Sequence, residues 1–226
     1  MKLDFIGVGG AFNTELGSNS AYIKENNKII FLDFGLDTFS KVVKYELINN
    51  VEEIYVLITH LHGDHVGGLP TFIQYCYLCF NKKVRIINNS STFNIELIKL
   101  LKITAVEENN YEFVNVNDLP FRFKINLRPT THTPLLECYS VIFVDEDNKK
   151  ILYTSDSNDI EFLKKAIKDD SFIKIYTEIG EHPHVHMDYN EVKALNKTKL
   201  VLMHIESPSL YKKILNEGYK VPEYLK

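Results

Sequence analysis

The chain has 226 residues, 45% of them hydrophobic, enough to bury a substantial core within one domain spanning 1–226. Its 26 basic and 30 acidic residues leave a net charge of −4 with no basic run, which speaks against a stable nucleic-acid partner. A small anionic substrate stays open, because bound cations reverse the local field.

The N-terminal segment MKLDFIGVGGAF lacks the long apolar stretch and cleavage site of a signal peptide, and no apolar run approaches the ~20 residues that cross a bilayer. The expectation is a cytoplasmic protein without a membrane partner. Residues 2–8 predict a first strand, and Gly7, Gly9 and Gly10 mark the turn after it. G-V-G-G does not match G-x-G-x-x-G, and no helical pattern follows directly, so a dinucleotide site is not expected. Residues 20–24 and 28–34 predict a hairpin turning at Asn26-Asn27. Helical spacing over 36–49 puts Leu36, Phe39, Val43 and Leu47 on one face. Residues 53–58 (EIYVLI) are nearly all apolar, as in a strand buried on both faces.

Helix 70–80, strand 83–87, helix 92–102 and several strands between 111 and 154 follow. Helix 159–168, strand 173–178, helix 188–196, strand 199–204 and helix 208–216 complete the chain. Two strand-rich halves, each with helices, predict an α/β sandwich with αβ/βα layering. The three cysteines, Cys76, Cys79 and Cys138, are too sparse for a disulfide framework and suit a reducing compartment. Cys76 and Cys79 form C-x-x-C, but its flanks are apolar and no second pair exists, so two apolar helical positions are the better reading than a redox or zinc pair.

The chemistry-bearing segment is Thr59-His60-Leu61-His62-Gly63-Asp64-His65, directly after the strand 53–58. Ligands of open α/β sheets gather beyond the carboxyl ends of strands. In an extended turn His60 and His62 project to one side, Gly63 permits a bend, and Asp64 and His65 turn toward a neighbouring point. Imidazole and carboxylate are the ligands of a hydrolytic zinc site. A chance His-rich loop is the competing reading, but three of the eight histidines and an aspartate fall within six residues.

This H-x-H-x-D-H segment is similar to the signature of the metallo-β-lactamase superfamily, and the resemblance extends over almost the whole chain. It implies a four-layer αβ/βα sandwich and a binuclear metal site. His132 in PTTHTP, Asp156 in LYTSD and His204 in LVLMHI match the family's later ligands, and Asp33 in FLDFG matches the aspartate that supports them. Taken singly, His132 and His204 would more often be ordinary core or surface histidines, and Asp156 could cap helix 159–168. Ser155 stands where relatives often have glycine, a departure bearing on loop shape more than ligation.

MKLDFIGVGGAFNTELGSNSAYI, LHGDHVGGLP and LVLMHIESPSLYKKI most resemble the ribonuclease Z-like branch. That branch implies Glu178 and His186 as further catalytic residues, with Glu178 orienting His186 as general acid. His182 and His184 read as incidental polar-loop residues. Asp188 is the expected cap of the helix after His186, with Glu191 completing a capping box. Residues 133–155 read as an ordinary strand pair, whereas tRNA-processing relatives carry a long projecting arm there. The armless pattern resembles the phage anti-Pycsar cyclic-nucleotide phosphodiesterases, which implies hydrolysis of 3′,5′-cyclic mononucleotides such as cyclic CMP and cyclic UMP.

In that reading His60, His62 and His132 hold one divalent ion, Asp64, His65 and His204 hold a second, and Asp156 bridges them. Zn2+ is expected, with Mn2+ as the alternative. Asp64 also orients the attacking water, and His186 protonates the departing ribose oxygen. The alternatives are a ribonuclease Z-like RNA-processing endonuclease, a thioesterase or lactonase of the same fold, and a non-catalytic cyclic-nucleotide-binding protein with structural metal. Seven candidate ligands exceed what one closed tetrahedral zinc needs. The segment 72–80, apolar nearly all round, suits either a buried helix or an interface with another chain. The resemblance to this branch implies a symmetric homodimer through the region after the H-x-H-x-D-H motif, and an aromatic from it or a neighbouring loop is a candidate to stack on the nucleobase.

Overall fold

The apolar runs assemble into two sheets. The first has six strands in the order β1-β2-β3-β4-β5-β6, namely β1 (Asp4–Gly7), β2 (Ser20–Glu25), β3 (Lys28–Leu32), β4 (Glu53–Leu57), β5 (Val84–Ile87) and β6 (Tyr111–Val114). The second has five in the order β11-β10-β9-β8-β7, namely β7 (Lys124–Thr130), β8 (Cys138–Val144), β9 (Lys150–Tyr153), β10 (Phe172–Ile179) and β11 (Leu200–Ile205). The structure is a computed structural model that describes residues 1–87, 90–181 and 184–226. Strands β3 to β6 are mutually parallel, as are β9, β10 and β11, while β1–β2–β3 and β7–β8–β9 are antiparallel.

Strand periodicity explains the layering. In β3, Ile29 and Phe31 face one cluster with Val42, Phe72, Cys76 and Leu97, while Ile30 and Leu32 face the other with Phe143, Tyr153 and Leu202. β4 divides likewise, with Ile54 and Val56 outward and Tyr55 and Leu57 between the sheets. Both strands are buried on two faces, which is why they read as continuous apolar runs. The helices α1 (Thr38–Lys44), α3 (Leu69–Phe80) and α4 (Ser91–Ile103) cover the first sheet; α5 (Ile160–Lys168), α6 (Tyr189–Lys193) and α7 (Pro208–Asn216) contribute Leu163, Val192, Leu210 and Ile214 to the core of the second. The short α2 (Gly63–Val66) lies within the histidine motif. The result is the four-layer αβ/βα sandwich expected from the sequence.

Helix starts follow the capping rules. Ser90 accepts from Phe93 N, Asp159 from Phe162 N, and Ser207 from Leu210 N, each cap worth about 1 kcal/mol. Asp159, rather than Asp156, therefore caps α5. Asp188 caps α6 by accepting from Asn190 N, but the helix stops at Lys193 instead of 196, where Asn196 Oδ1 turns back to accept from Thr198.

The first helix corrects an expectation. It spans 38–44, and its inner face is Thr38 and Val42, both fully buried, while Val43 is 39% and Leu36 68% exposed. Thr38 Oγ1 pairs with Ser20 Oγ at 2.8 Å, and Lys41 Nζ donates to Ile6 O at 3.0 Å, which turns this face inward. Glu46, in the left-handed region at φ 52°, ends the helical path. Cys76 is buried and Cys79 exposed, and all three cysteines are free thiols.

Candidate metal centre

The motif residues sit where strands of both sheets end. From the first sheet, Asp33 follows β3, and Thr59 to His65 follow β4; from the second, His132 follows β7, Asp156 follows β9, and Glu178 and His204 stand near the ends of β10 and β11. Phe34 N donates to His65 O at 2.6 Å, which lays the motif across the exit of β3. The approach is so close that a β-carbon on Gly35 would stand 2.1 Å from Asp64 O. Asp33, Ser155 and His204 all take left-handed backbone, at φ 58°, 54° and 47°. Such conformations are costly for residues with a side chain and persist where surrounding contacts enforce them.

Two groups of four donors converge. His60, His62, His132 and Asp156 form one; Asp64, His65, Asp156 and His204 form the other. Asp156 belongs to both through different oxygens. Its Oδ2 lies 3.7 Å from His60 Nε2 and 3.6 Å from His132 Nε2, and its Oδ1 lies 3.2 Å from His65 Nε2 and 3.3 Å from His204 Nε2. In the first group His62 Nδ1 stands 3.1 Å from His60 Nε2 and 3.2 Å from His132 Nε2. In the second, Asp64 Oδ2 is 3.3 Å from His65 Nε2 and 3.2 Å from His204 Nε2.

The tautomers leave ring nitrogens whose lone pairs can meet a cation. His132 Nδ1 faces Val185 O at 2.5 Å, and a carbonyl only accepts, so that nitrogen carries the proton and Nε2 offers its lone pair inward. His65 Nδ1 donates to Asp33 Oδ2 at 2.9 Å, leaving Nε2 aimed at the carboxylates of Asp64 and Asp156. His65 Nε2 and Asp156 Oδ1 are buried with no hydrogen-bond partner. A lone pair against two carboxylates demands either a proton or a metal between them. The donor set of imidazoles and carboxylates thus fits two divalent ions of the zinc type.

Burial pulls His65 down, but the charges of Asp156 and Asp33 outweigh it and hold the ring well above the ordinary histidine range. His204, also drawn down by burial, is lifted to about 10 by Asp156, Asp64 and Glu178. Burial and the neighbouring imidazoles push His60 and His62 down. Asp64 and Asp156, though buried, are held well below the usual carboxylate range by the surrounding imidazoles.

Beside this pair of groups, His186 Nδ1 lies 2.6 Å from Glu178 Oε2, which leaves Nε2 as its open ring nitrogen. Burial alone would lower His186, but the hydrogen bond and charge of Glu178, with the charge of Asp156, raise it above the ordinary value. Glu178 is fully buried; it accepts from Ser157 N through Oε1, and Oε2 stands 3.6 Å from His204 Nδ1. His184 lends its carbonyl to Asn158 Nδ2, and His182 lies outside the described residues.

Several supporting residues escape sequence reasoning. Thr59 donates its N–H and hydroxyl to Asp33, Tyr153 OH reaches Asp33 Oδ2 at 3.3 Å, and Asn19 Nδ2 donates to Tyr153 OH at 2.8 Å. Ser155 Oγ donates to Thr59 Oγ1 at 2.6 Å, so this residue ties the ends of β9 and β4 together as well as shaping its loop. The donor groups open into a cleft of about 540 Å³ lined also by Ala11, Phe12, Leu36, Thr133 and Val185. Among the described residues that line it, none is Lys or Arg. A hollow of about 610 Å³ beside β7 and β8 contains none of the candidate residues.

The family model described as "Anti-Pycsar protein Apyc1" matches residues 1–218. An "Anti-Pycsar protein Apyc1" of Saccharibacillus brassicae is 28% identical over 192 residues, covering 79% of this chain and 77% of that protein. A "Ribonuclease Z" of Sulfolobus acidocaldarius is 29% identical over 171 residues, covering 73% of this chain but 53% of the longer enzyme. Among solved structures, the metallo-beta-lactamase fold protein YhfI of Bacillus subtilis superposes with a TM-score of 0.73 at 17% identity, over 95% of this chain and 91% of that one, which shows the shared fold.

Proposed function

The chain belongs to the family described as Anti-Pycsar protein Apyc1, and from that premise we propose that it is a single-domain, binuclear-metal phosphodiesterase that hydrolyses 3′,5′-cyclic mononucleotides such as cyclic CMP and cyclic UMP. The observation that carries this reading is the carboxylate of Asp156, with one oxygen in each of two four-donor groups at the floor of a nucleotide-sized cleft. His60, His62 and His132 would hold one ion, Asp64, His65 and His204 the other, and Asp156 would bridge; Zn2+ suits this set, with Mn2+ as the alternative. Two such ions supply positive charge opposite the phosphate oxygens and acidify water near neutral pH.

The chain's own residues do the rest. Asp64, on the cleft floor, orients the attacking water, whose proton passes to bulk solvent. The water oxygen bonds to phosphorus, the bond from phosphorus to one ribose oxygen breaks, and that oxygen keeps the electron pair. His186, held through Nδ1 by Glu178, delivers a proton from Nε2 to it, and the product is a nucleoside monophosphate. Such an activity would counter Pycsar immunity, and in a phage protein it would act in the host cytoplasm. Among the described residues no helix is long and apolar enough to cross a membrane.

The similarity to ribonuclease Z favours RNA cleavage as the second reading. Against it, β8 and β9 form a tight hairpin closed by Asp145 over residues 145–149, and among the described residues the cleft is lined by no Lys or Arg to track a polyanion. The test incubates the protein with a panel of cyclic mononucleotides and with precursor tRNA, with and without chelator, alongside metal analysis. The expected result is chelator-sensitive turnover of cyclic nucleotides by protein carrying about two ions per chain. Cleavage of tRNA alone would replace the reading, and at most one ion in a fully loaded preparation would end the binuclear assignment.

A further inference from the structure

The rim of the cleft carries two apolar side chains that neither the core nor the metal groups explain. Phe12 is 92% and Leu36 68% exposed, and both line the cleft. An exposed aromatic ring on a loop is ordinarily loose, but this one stands on a fixed base. Ala11 and Phe12 are the central residues of a turn closed by Asn13 N donating to Gly10 O at 3.0 Å. Two further bonds pin that turn to the residue after His204: Gly10 N donates to Ile205 O at 3.0 Å, and Asn13 Nδ2, in a side chain only 2% exposed, donates to the same oxygen at 2.9 Å. Gly10 is so close to His204 that a β-carbon there would stand 3.3 Å from the imidazole Cε1. The backbone that positions His204 therefore also positions Phe12. Leu36 follows Gly35, the residue against Asp64, so the second rim side chain is anchored to the other donor group.

We propose that Phe12, assisted by Leu36, is the platform on which the nucleobase of the substrate stacks, an inference that rests on the cyclic-nucleotide reading above. The cleft divides by chemistry: its floor of His62, Asp64, His132, Asp156 and His204 suits the phosphate once cations are bound, and its rim offers an aromatic face of high exposure. A ring face recognises stacking area and not the hydrogen-bonding edge of a base, so purines should gain more from it than pyrimidines. Stacking on an aromatic side chain is worth roughly five- to hundredfold in affinity, and a ring open to solvent belongs at the low end.

The experiment compares wild type, Phe12→Ala and Phe12→Trp on a purine and a pyrimidine cyclic nucleotide and on 1-deoxyribose 3′,5′-cyclic phosphate, which keeps the diester but has no base. In Phe12→Ala the KM for cyclic nucleotides, relative to that for the base-free diester, should rise roughly five- to tenfold, more for the purine. Phe12→Trp should restore it, and kcat should stay within about twofold in both variants. An equal KM rise on the base-free diester, an unchanged KM ratio, or a loss in kcat alone overturns the stacking role. If the wild type turns over no cyclic nucleotide, the functional reading falls and this inference with it. If it does and Phe12→Ala matches it, the inference falls alone.

Discussion

At the residue scale, the general-acid role proposed for His186, with Glu178 orienting it, would have a kinetic signature. A general acid matters in proportion to how poorly the leaving group departs without a proton. His186→Ala removes a side chain that belongs to neither four-donor group containing Asp156, so both ions should remain while turnover of a cyclic nucleotide falls roughly 10²–10⁴-fold. On a diester with nitrophenolate as leaving group the loss should shrink. Metal analysis and steady-state rates on the two substrates check this, and equal losses would assign His186 another task. The histidine motif was readable because three histidines and an aspartate fall in one short segment, whereas Phe12 was not. In G-G-A-F-N-T it is one aromatic in a turn, and its meaning comes from Asn13 and Gly10 binding Ile205, nearly two hundred residues away in sequence.

At the element scale, three site residues mark strand ends with left-handed backbone, and Ser155 permits a clean test. Replacement by alanine removes the hydroxyl bond to Thr59 and keeps the strained φ of 54°; glycine removes the same bond and relieves the strain. Ser155→Gly should therefore be the more stable of the two variants by about 0.5–1 kcal/mol, after allowance for the greater freedom of glycine in the unfolded chain. Urea unfolding of both chelated variants measures it, and a more stable alanine variant would show that the turn stores no strain. The same scale explains what the sequence revealed of the fold. Strands β3 and β4 were legible because burial on both faces leaves uninterrupted apolar runs. Helix α5 was placed to within a residue, though its cap is Asp159 and not Asp156. The face of α1 was not, since its buried frame is set by Thr38 and Lys41, polar side chains whose partners Ser20 and Ile6 lie on other strands. Leu36 consequently left the predicted core face and became part of the cleft rim.

At the scale of the whole molecule, α3 resolves half of the question its composition raised. Leu69, Phe72, Ile73 and Cys76 are buried against the first sheet, with Phe34 and Phe72 stacked at 4.2 Å. The opposite face is mixed: Leu78 is 77% exposed and Tyr75 and Tyr77 are partly so, beside the polar Thr71 and Gln74. An exposed Leu78 flanked by two partly exposed tyrosines suits a symmetric contact with a second copy. Light scattering should find a homodimer at micromolar concentration, and the double variant Tyr75→Asp/Tyr77→Asp should be a folded monomer. A monomeric wild type would end the dimer proposal, and a folded, dimeric variant would move the interface to another surface.

The donors of the candidate metal centre come from both sheets, and Asp64 and His204, 3.2 Å apart, are separated by 140 positions in the chain. In polymer terms, any cation shared by these two residues is a releasable cross-link that closes a loop comprising most of the molecule. Loop-closure entropy grows only with the logarithm of contour length, so one such link already captures most of what this span can offer. The loaded protein would resist unfolding as a ring, and the stripped protein would unfold as a linear chain. Metal supply would then set the lifetime of the molecule as well as its chemistry, and a cell that withholds the ion would attack both at once.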